Sequence, residues 1–155
     1  MTGFRRGVRI GVDVGRARVG VARCDPDGLL ATPVETVPRD DLSIGRVQRI
    51  AADEGAVEFV VGLPLGMSGH ETPSTADARA FAVELARGPL PVRLFDERLS
   101  TVSAHDALRA SGRSTRTSRS IVDQVAAVVL LQHAIDVEKR TGTPPGTPVP
   151  PEESP

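Results

Sequence analysis

From Val8 to Val14, Val8, Ile10, Val12 and Val14 alternate with Arg9, Gly11 and Asp13, and this period of two predicts a β-strand. Arg18–Cys24 reads as a second strand, and the link Gly15–Ala17 is short enough for a hairpin. Leu29–Val37 reads as a third strand, bent at Pro33. From Leu42 to Glu54 the apolar positions Leu42, Val47, Ile50 and Ala51 take a helical spacing that Gly55 closes. Val57–Leu63 is an apolar run ending in Gly62-Leu63-Pro64, the pattern of a buried strand. A Gly-rich loop, Pro64–Pro73, then precedes Ser74-Thr75-Ala76-Asp77, which reads as the capping-box start of a helix through Ala86. Gly88-Pro89 stops that helix, and Val92–Asp96 is a short strand.

Thr101–Ser111 reads as a helix closed by Gly112. A polar loop, Arg113–Ser118, leads to a last helix from about Arg119 to Arg140 that is apolar nearly all round. The order β-β-β-α-β-α-β-α-α predicts an α/β fold. Three antiparallel strands form a meander, two more add in parallel through helical crossovers, and helices flank the resulting mixed five-stranded sheet. Thr141–Pro155 holds six prolines and a single hydrophobic residue, Val149, and is expected to be disordered.

Composition narrows the class. A length of 155 residues points to one domain, here residues 1–140 with the tail 141–155 appended. Cys24 is the only cysteine, so an internal disulfide is excluded. There are four Phe and no Tyr or Trp, too few for a base-stacking platform built on aromatics. No apolar run reaches membrane-spanning length, and the N-terminus does not read as a signal peptide, so a cytoplasmic protein with no membrane partner is expected.

The net charge of −1 hides an uneven distribution. Residues 1–23 carry six arginines, Arg5, Arg6, Arg9, Arg16, Arg18 and Arg23, against one acid, Asp13. Residues 98–119 carry five, Arg98, Arg109, Arg113, Arg116 and Arg119, against Asp106. These stretches are either solvated surface or, if the fold joins them, one basic face for a phosphate backbone.

Three carboxylates stand where solubility does not require them. Asp13 interrupts an apolar strand, Glu97 follows the carboxyl end of another, and Asp123 opens the apolar last helix. Each has a local alternative. Asp13 could form a turn, Glu97 could pair with Arg98 or Arg93, and Ser120 to Asp123 is itself a capping box. Taken together they suit a site for hard divalent cations, since three converging carboxylates repel one another unless a metal sits among them. Zinc is disfavoured, because His70, His105 and His133 are scattered without ligand spacing.

Four motifs then resemble the YqgF (RuvX) family. They are Asp13-Val-Gly15-Arg-Ala-Arg18-Val-Gly20-Val-Ala22; Gly62-Leu63-Pro64 with Gly66-Met67-Ser68-Gly69; Asp96-Glu97-Arg98-Leu99-Ser100-Thr101; and Val122-Asp123-Gln-Val-Ala126-Ala127, running on to Leu131-Gln132. In order they span residues 8–132. The resemblance implies an RNase H-like fold and a nuclease related to Holliday-junction resolvases. The family is usually assigned to processing the 5′ end of pre-16S rRNA, with junction resolution also proposed.

Carried over by position, Asp13, Glu97 and Asp123 would be the catalytic residues and would bind Mg²⁺ or Mn²⁺. Arg18, Arg98 and Thr101 would support the site or contact phosphate, joined by Arg16, Arg113, Arg116 and Arg119 from the basic stretches. The partner would be pre-rRNA or branched DNA, and cutting two strands would suit a homodimer. The family loop commonly reads Asn-x-Asp-Gly, where this chain has Ser68 in place of the acid. Two other classes compete. Asp13-x-Gly15 also resembles the phosphate hairpin of actin-like ATPases, which need two such domains, and a non-catalytic binding module would be indifferent to metal.

Overall fold

A computed structural model describes residues 4–96 and 115–150, with residues 115–123 described by their backbone alone. In chain order the elements are β1 (Val8–Val14), β2 (Arg18–Cys24), β3 (Ala31–Pro38), α1 (Ser43–Asp53), β4 (Ala56–Leu63), α2 (Pro73–Ala86), β5 (Val92–Asp96), α3 (Thr115–Thr141) and β6 (Thr147–Val149). The strands form one mixed sheet in the order β3-β2-β1-β4-β5-β6. β1 pairs antiparallel with β2, and β2 with β3; β4 joins β1 in parallel, and β5 joins β4 in parallel.

The expected meander and crossovers are therefore present. The bend at Pro33 is a register shift, in which Val21 faces Glu35 while Ala22 faces Pro33. The capping motif of α2 lies earlier than expected: Thr72 is the N-cap, Pro73 opens the helix, and Thr72 and Thr75 exchange the reciprocal bonds. The expected helix Thr101–Ser111 lies outside the described residues.

The sheet has six strands rather than five because the tail supplies the last one. Disorder expected from Thr141 onward is corrected for residues 141–150, while 151–155 lie outside the described residues. β6 pairs antiparallel with β5, Val92 opposite Val149 and Leu94 opposite Thr147. Arg93 Nε donates to the Pro145 carbonyl at 2.6 Å and Arg93 Nη2 to the Gly146 carbonyl at 3.2 Å. Gly146 has φ +66°, and a Cβ there would stand 2.0 Å from the Leu94 carbonyl oxygen. Backbone pairing to β5, with Val149 packed half-buried against the core, orders this segment, so composition does not reveal it.

Helices α1 and α2 cover one face of the sheet. Val47, Ala51, Phe81, Ala82 and Leu85 pack there against Ile10, Val12, Val19, Phe59 and Val61. α3 covers the other, with Ala127, Leu130, Leu131, Ala134 and Ile135 against Ala22, Cys24, Val60 and Phe95. The alternation of β1 sends Ile10 and Val12 to the first face and Arg9, Gly11 and Asp13 to the α3 face. The contact at Gly11 is close: an added Cβ would lie 2.8 Å from Leu131 Cβ and 3.0 Å from the Ala127 carbonyl oxygen. Gly11→Ala is therefore expected to lower unfolding free energy by about 1–3 kcal/mol, the usual range for overpacking. Urea denaturation checks this; a midpoint equal to wild type would show that α3 shifts without cost.

Candidate active site

The parallel strands β1, β4 and β5 end at one edge of the sheet. Val12 of β1 lies opposite Val61, and Leu63 of β4 lies opposite Asp96, the last residue of β5. In a parallel α/β sheet this carboxyl edge is where ligands gather. Asp13 is there, half-buried near the end of β1 and opposite Gly20 of β2. Glu97 lies outside the described residues; the chain reaches it directly from Asp96.

The direction of α3 relates position 123 to Asp13. Gln132 Oε1 accepts from the Ala31 amide at 2.9 Å, and Gln124 Nε2 donates to Thr36 Oγ1 at 2.9 Å. α3 thus runs antiparallel to β3 and so to β1. Along β1, Arg9 meets Glu138, and Gly11 meets Leu131 and Ala127. Two residues beyond Gly11 is Asp13, and one helical turn before Ala127 is position 123. The backbone therefore carries position 123 toward the level of Asp13.

α3 starts at Thr115, four residues before the expected Arg119. Asp123 consequently lies two turns inside the helix, and the capping-box alternative for it falls. The same direction brings the first turns of α3, with positions 116 and 119, to the carboxyl edge. Arg98, Thr101 and Arg113 lie outside the described residues, as do the side chains of Arg116, Arg119 and Asp123. Among the described residues, no group of three or more His, Cys, Asp or Glu is placed to hold a metal. Of the expected ligands, only the Asp13 side chain belongs to that set. Its oxygen donors at an open strand end match the preference of a hard cation.

The turn after Asp13 is tightly fixed. The Gly15 amide donates to the Arg18 carbonyl at 2.9 Å, and a Cβ at Gly15 would stand 2.6 Å from that same oxygen. Arg39, just after β3, clamps the turn from the other side. Its amide donates to the Ala17 carbonyl at 3.0 Å, and its Nη1 donates to the Gly15 carbonyl at 2.9 Å. The same guanidinium grips both carboxylate oxygens of Asp77 on α2, at 2.8 and 2.7 Å, and lies 5.2 Å from the Phe81 ring centre. Hydrogen bonding from Arg39 holds the Asp77 carboxyl below its ordinary value, and Asp77 in turn raises Arg39. The hairpin that carries Asp13, Arg16 and Arg18 is thereby tied to α2.

The basic face expected from residues 1–23 is largely neutralised. Arg5 pairs with Glu58 at 3.0 Å and Glu138 at 2.8 Å, and Arg9 with Glu138 at 3.0 Å and Glu58 at 3.8 Å. Arg6 pairs with Asp27 and Arg23 with Glu54. Arg16, exposed at the hairpin tip, and the half-buried Arg18 are the arginines of this stretch at the carboxyl edge.

Periodicity alone missed the Arg5–Arg9–Glu58–Glu138 quartet and the Arg39 clamp. A signal for the quartet exists: Glu138 continues the buried stripe Ala127, Leu131, Ala134 at helical spacing. No sequence signal marks Arg39.

Comparisons with known proteins extend this geometry. The family model described as "RuvX: Holliday junction resolvase" matches residues 7–137. A protein of Clavibacter michiganensis subsp. michiganensis, named "Putative pre-16S rRNA nuclease", is 57% identical over 95% of this chain and 94% of its own length. A protein of the same name from Leifsonia xyli subsp. xyli is 55% identical over 98% of this chain and 100% of its own. Among solved structures, T. thermophilus RuvC in complex with a Holliday junction substrate superposes with a TM-score of 0.51. At 19% identity, covering 92% of this chain and 99% of that one, it shares the RNase H-like fold.

Proposed function

The chain belongs to the RuvX family and is a nuclease, and on that premise we propose that it is a divalent-metal-dependent endonuclease that processes the 5′ end of pre-16S rRNA. The observation that carries this reading is the antiparallel run of α3 along β1. It supports the reading because the backbone of position 123 is carried toward the level of Asp13, at the edge where β5 ends at Asp96. In this reading Asp13, Glu97 and Asp123 hold Mg²⁺ or Mn²⁺, an all-oxygen donor set suited to either ion. When bound, the cation supplies a nucleophilic water of lowered pKa and charge stabilisation at the phosphorus.

The chain's own residues do the rest. Asp13, on a strand paired on both sides, gives the site a rigid wall. Arg39 keeps the adjoining turn still, so that Arg16 and Arg18 meet the phosphate backbone in one register. Arg98, Thr101, Arg113, Arg116 and Arg119 complete the phosphate contacts. The work is cytoplasmic, where pre-rRNA is processed. Among the described residues, no helix is long and apolar enough to cross a membrane.

A cleavage panel tests the proposal. Purified protein is given a pre-16S leader, unstructured RNA, duplex DNA and a four-way DNA junction, with Mn²⁺ and then with excess chelator. Metal-dependent cutting of the leader, abolished by the chelator, is the expected result. Tight leader binding with no scission at any Mg²⁺ or Mn²⁺ concentration would favour a binding module instead. Preferential cutting of the four-way junction would support a second reading, junction resolution. The family description favours that reading, and it would call for two copies about a two-fold axis.

A further inference from the structure

The loop between β4 and α2 leaves the same carboxyl edge as the proposed active site, and it presents Met67 to solvent with 99% of its surface exposed. This exposure is not a product of slack chain. The Gly66 amide donates to the His70 carbonyl at 2.8 Å and the Gly69 amide to the Gly66 carbonyl at 2.8 Å. Ser68 Oγ and His70 Nδ1 lie 2.7 Å apart, and the His70 ring packs so closely on Gly66 that a Cβ there would stand 2.1 Å from it. Gly69 takes φ +85° to close the turn. At the loop's two ends, Thr75 Oγ1 donates to the Pro64 carbonyl, and Thr72 caps α2. A braced loop therefore holds one unbranched apolar side chain clear of every neighbour.

Among the described residues, alternatives for contacting bases are few. Phe59, Phe81 and Phe95 are buried in the two cores, and Phe4 lies under Arg9 and Lys139, 4.0 and 5.4 Å from its ring centre. Of the other exposed large hydrophobics among the described residues, Leu29, Leu30 and Val57 sit at the opposite edge of the sheet. Leu42, at the start of α1, follows the outermost strand, β3, whereas Met67 follows β4, the immediate neighbour of β1.

We propose that Met67 is a wedge that inserts between adjacent bases of the bound nucleic acid, unstacking them where a helical segment opens beside the scissile phosphate. Apolar wedges of this kind open base steps in other nucleic-acid complexes, and methionine is among the residues that serve. Ser68 and His70 act through the loop, holding the wedge upright. The inference rests on the nuclease reading for the place of the chemistry, but base unstacking is read without cleavage.

The test uses forked substrates, an RNA hairpin with a 5′ single-stranded leader and a DNA fork, each with 2-aminopurine at the junction. Binding of the Asp13→Asn protein, in which cutting is silenced, is expected to raise the fluorescence. Adding Met67→Ala or Met67→Gln is expected to remove that rise, while Met67→Leu keeps it. In the otherwise wild-type protein, Met67→Ala is expected to slow cleavage of the fork about tenfold, because the inserted side chain no longer offsets the cost of unstacking a base step. Cleavage of unstructured RNA should change less than about twofold, because no stack has to be opened there. Since Met67 touches nothing, unchanged thermal unfolding confirms that the fold is intact. An undiminished 2-aminopurine signal in Met67→Ala, or equal slowing on forked and unstructured substrates, would overturn the wedge. Absence of cleavage by wild type, with the fluorescence response intact, would overturn the nuclease reading and leave the wedge standing. The RNA and DNA arms show which strand chemistry it opens.

Discussion

Asp13→Asn is expected to slow metal-dependent cleavage by more than about a hundredfold, with nucleic-acid binding kept. Loss of an outer-shell partner of a bound metal typically costs 10- to 100-fold, and removing the negative charge of a residue proposed as a direct ligand should cost more. The substitution is nearly isosteric. Asp13 is half-buried in a strand whose pairings to Gly20 and, through Val12, to Val61 are made by backbone groups. The β1–β2 hairpin and its Arg39 clamp should therefore stay in place, and so should the melting temperature. Single-turnover cleavage with a titration of Mn²⁺, alongside a binding isotherm, separates the effects. Cleavage at wild-type rate would remove Asp13 from the site, and loss of binding in parallel with cleavage would make it a structural residue.

Glu138→Ala is expected to carry the largest stability cost. Glu138, Glu58 and Arg9 have side chains only 2–3% exposed, and they balance charge with the half-exposed Arg5. Glu138 accepts from the Arg5 amide and side chain and from Arg9 Nη2, at 2.8 to 3.1 Å. Removing it leaves Arg9 buried with Glu58 3.8 Å away as its remaining ion-pair partner. Breaking a buried pair from one side costs about 3–5 kcal/mol, which for a chain of this length is a fall in melting temperature of roughly 10 °C.

The pH dependence of this cost has a definite sign. Burial acts to raise the Glu138 carboxyl, but hydrogen bonds from Arg5 and the charges of Arg9 and Arg5 outweigh it and hold it below the ordinary value of 4.5. A folded value below the unfolded one gives stabilisation that is fully present above the unfolded value and lost as pH falls through the folded one. The gap in unfolding free energy between wild type and Glu138→Ala should therefore be constant near neutrality and shrink below about pH 4.5. A gap that widened in acid would contradict the assignment.

Much of the architecture could be read in advance, and the exceptions have physical causes. β1, β2 and β4 declare themselves because one or both faces are buried, so their Val, Ile and Phe positions repeat. The first turns of α3 do not. Residues 115–118 are Thr, Arg, Thr and Ser, poor in apolar positions, and look like a loop until the backbone is traced. β6 is held by pairing to β5 and by Arg93, which leaves no periodic trace. Glu58 and Glu138 are charged residues inside buried elements, and a reading that sends charges outward cannot place them. At the candidate site, Asp13 stood out as a carboxylate in an apolar strand. Met67 did not, because in a polar loop a single methionine has no pattern to break.

The quartet at the amino edge also bears on how the molecule comes into being. Arg9 and Glu138 are separated by 129 residues. At 5–20 residues per second, a ribosome needs roughly 6 to 26 seconds to pass from one to the other. Once Glu58 is made and until Glu138 follows, a nascent chain holds Arg5, Arg9 and Glu58 with two positive charges against one. The helix that finally brings Glu138 also brings position 123. Synthesis thus completes the lock on the first strand with the same helix that carries position 123, and a chain released before residue 138 would lack the Glu138 carboxylate beside Arg9.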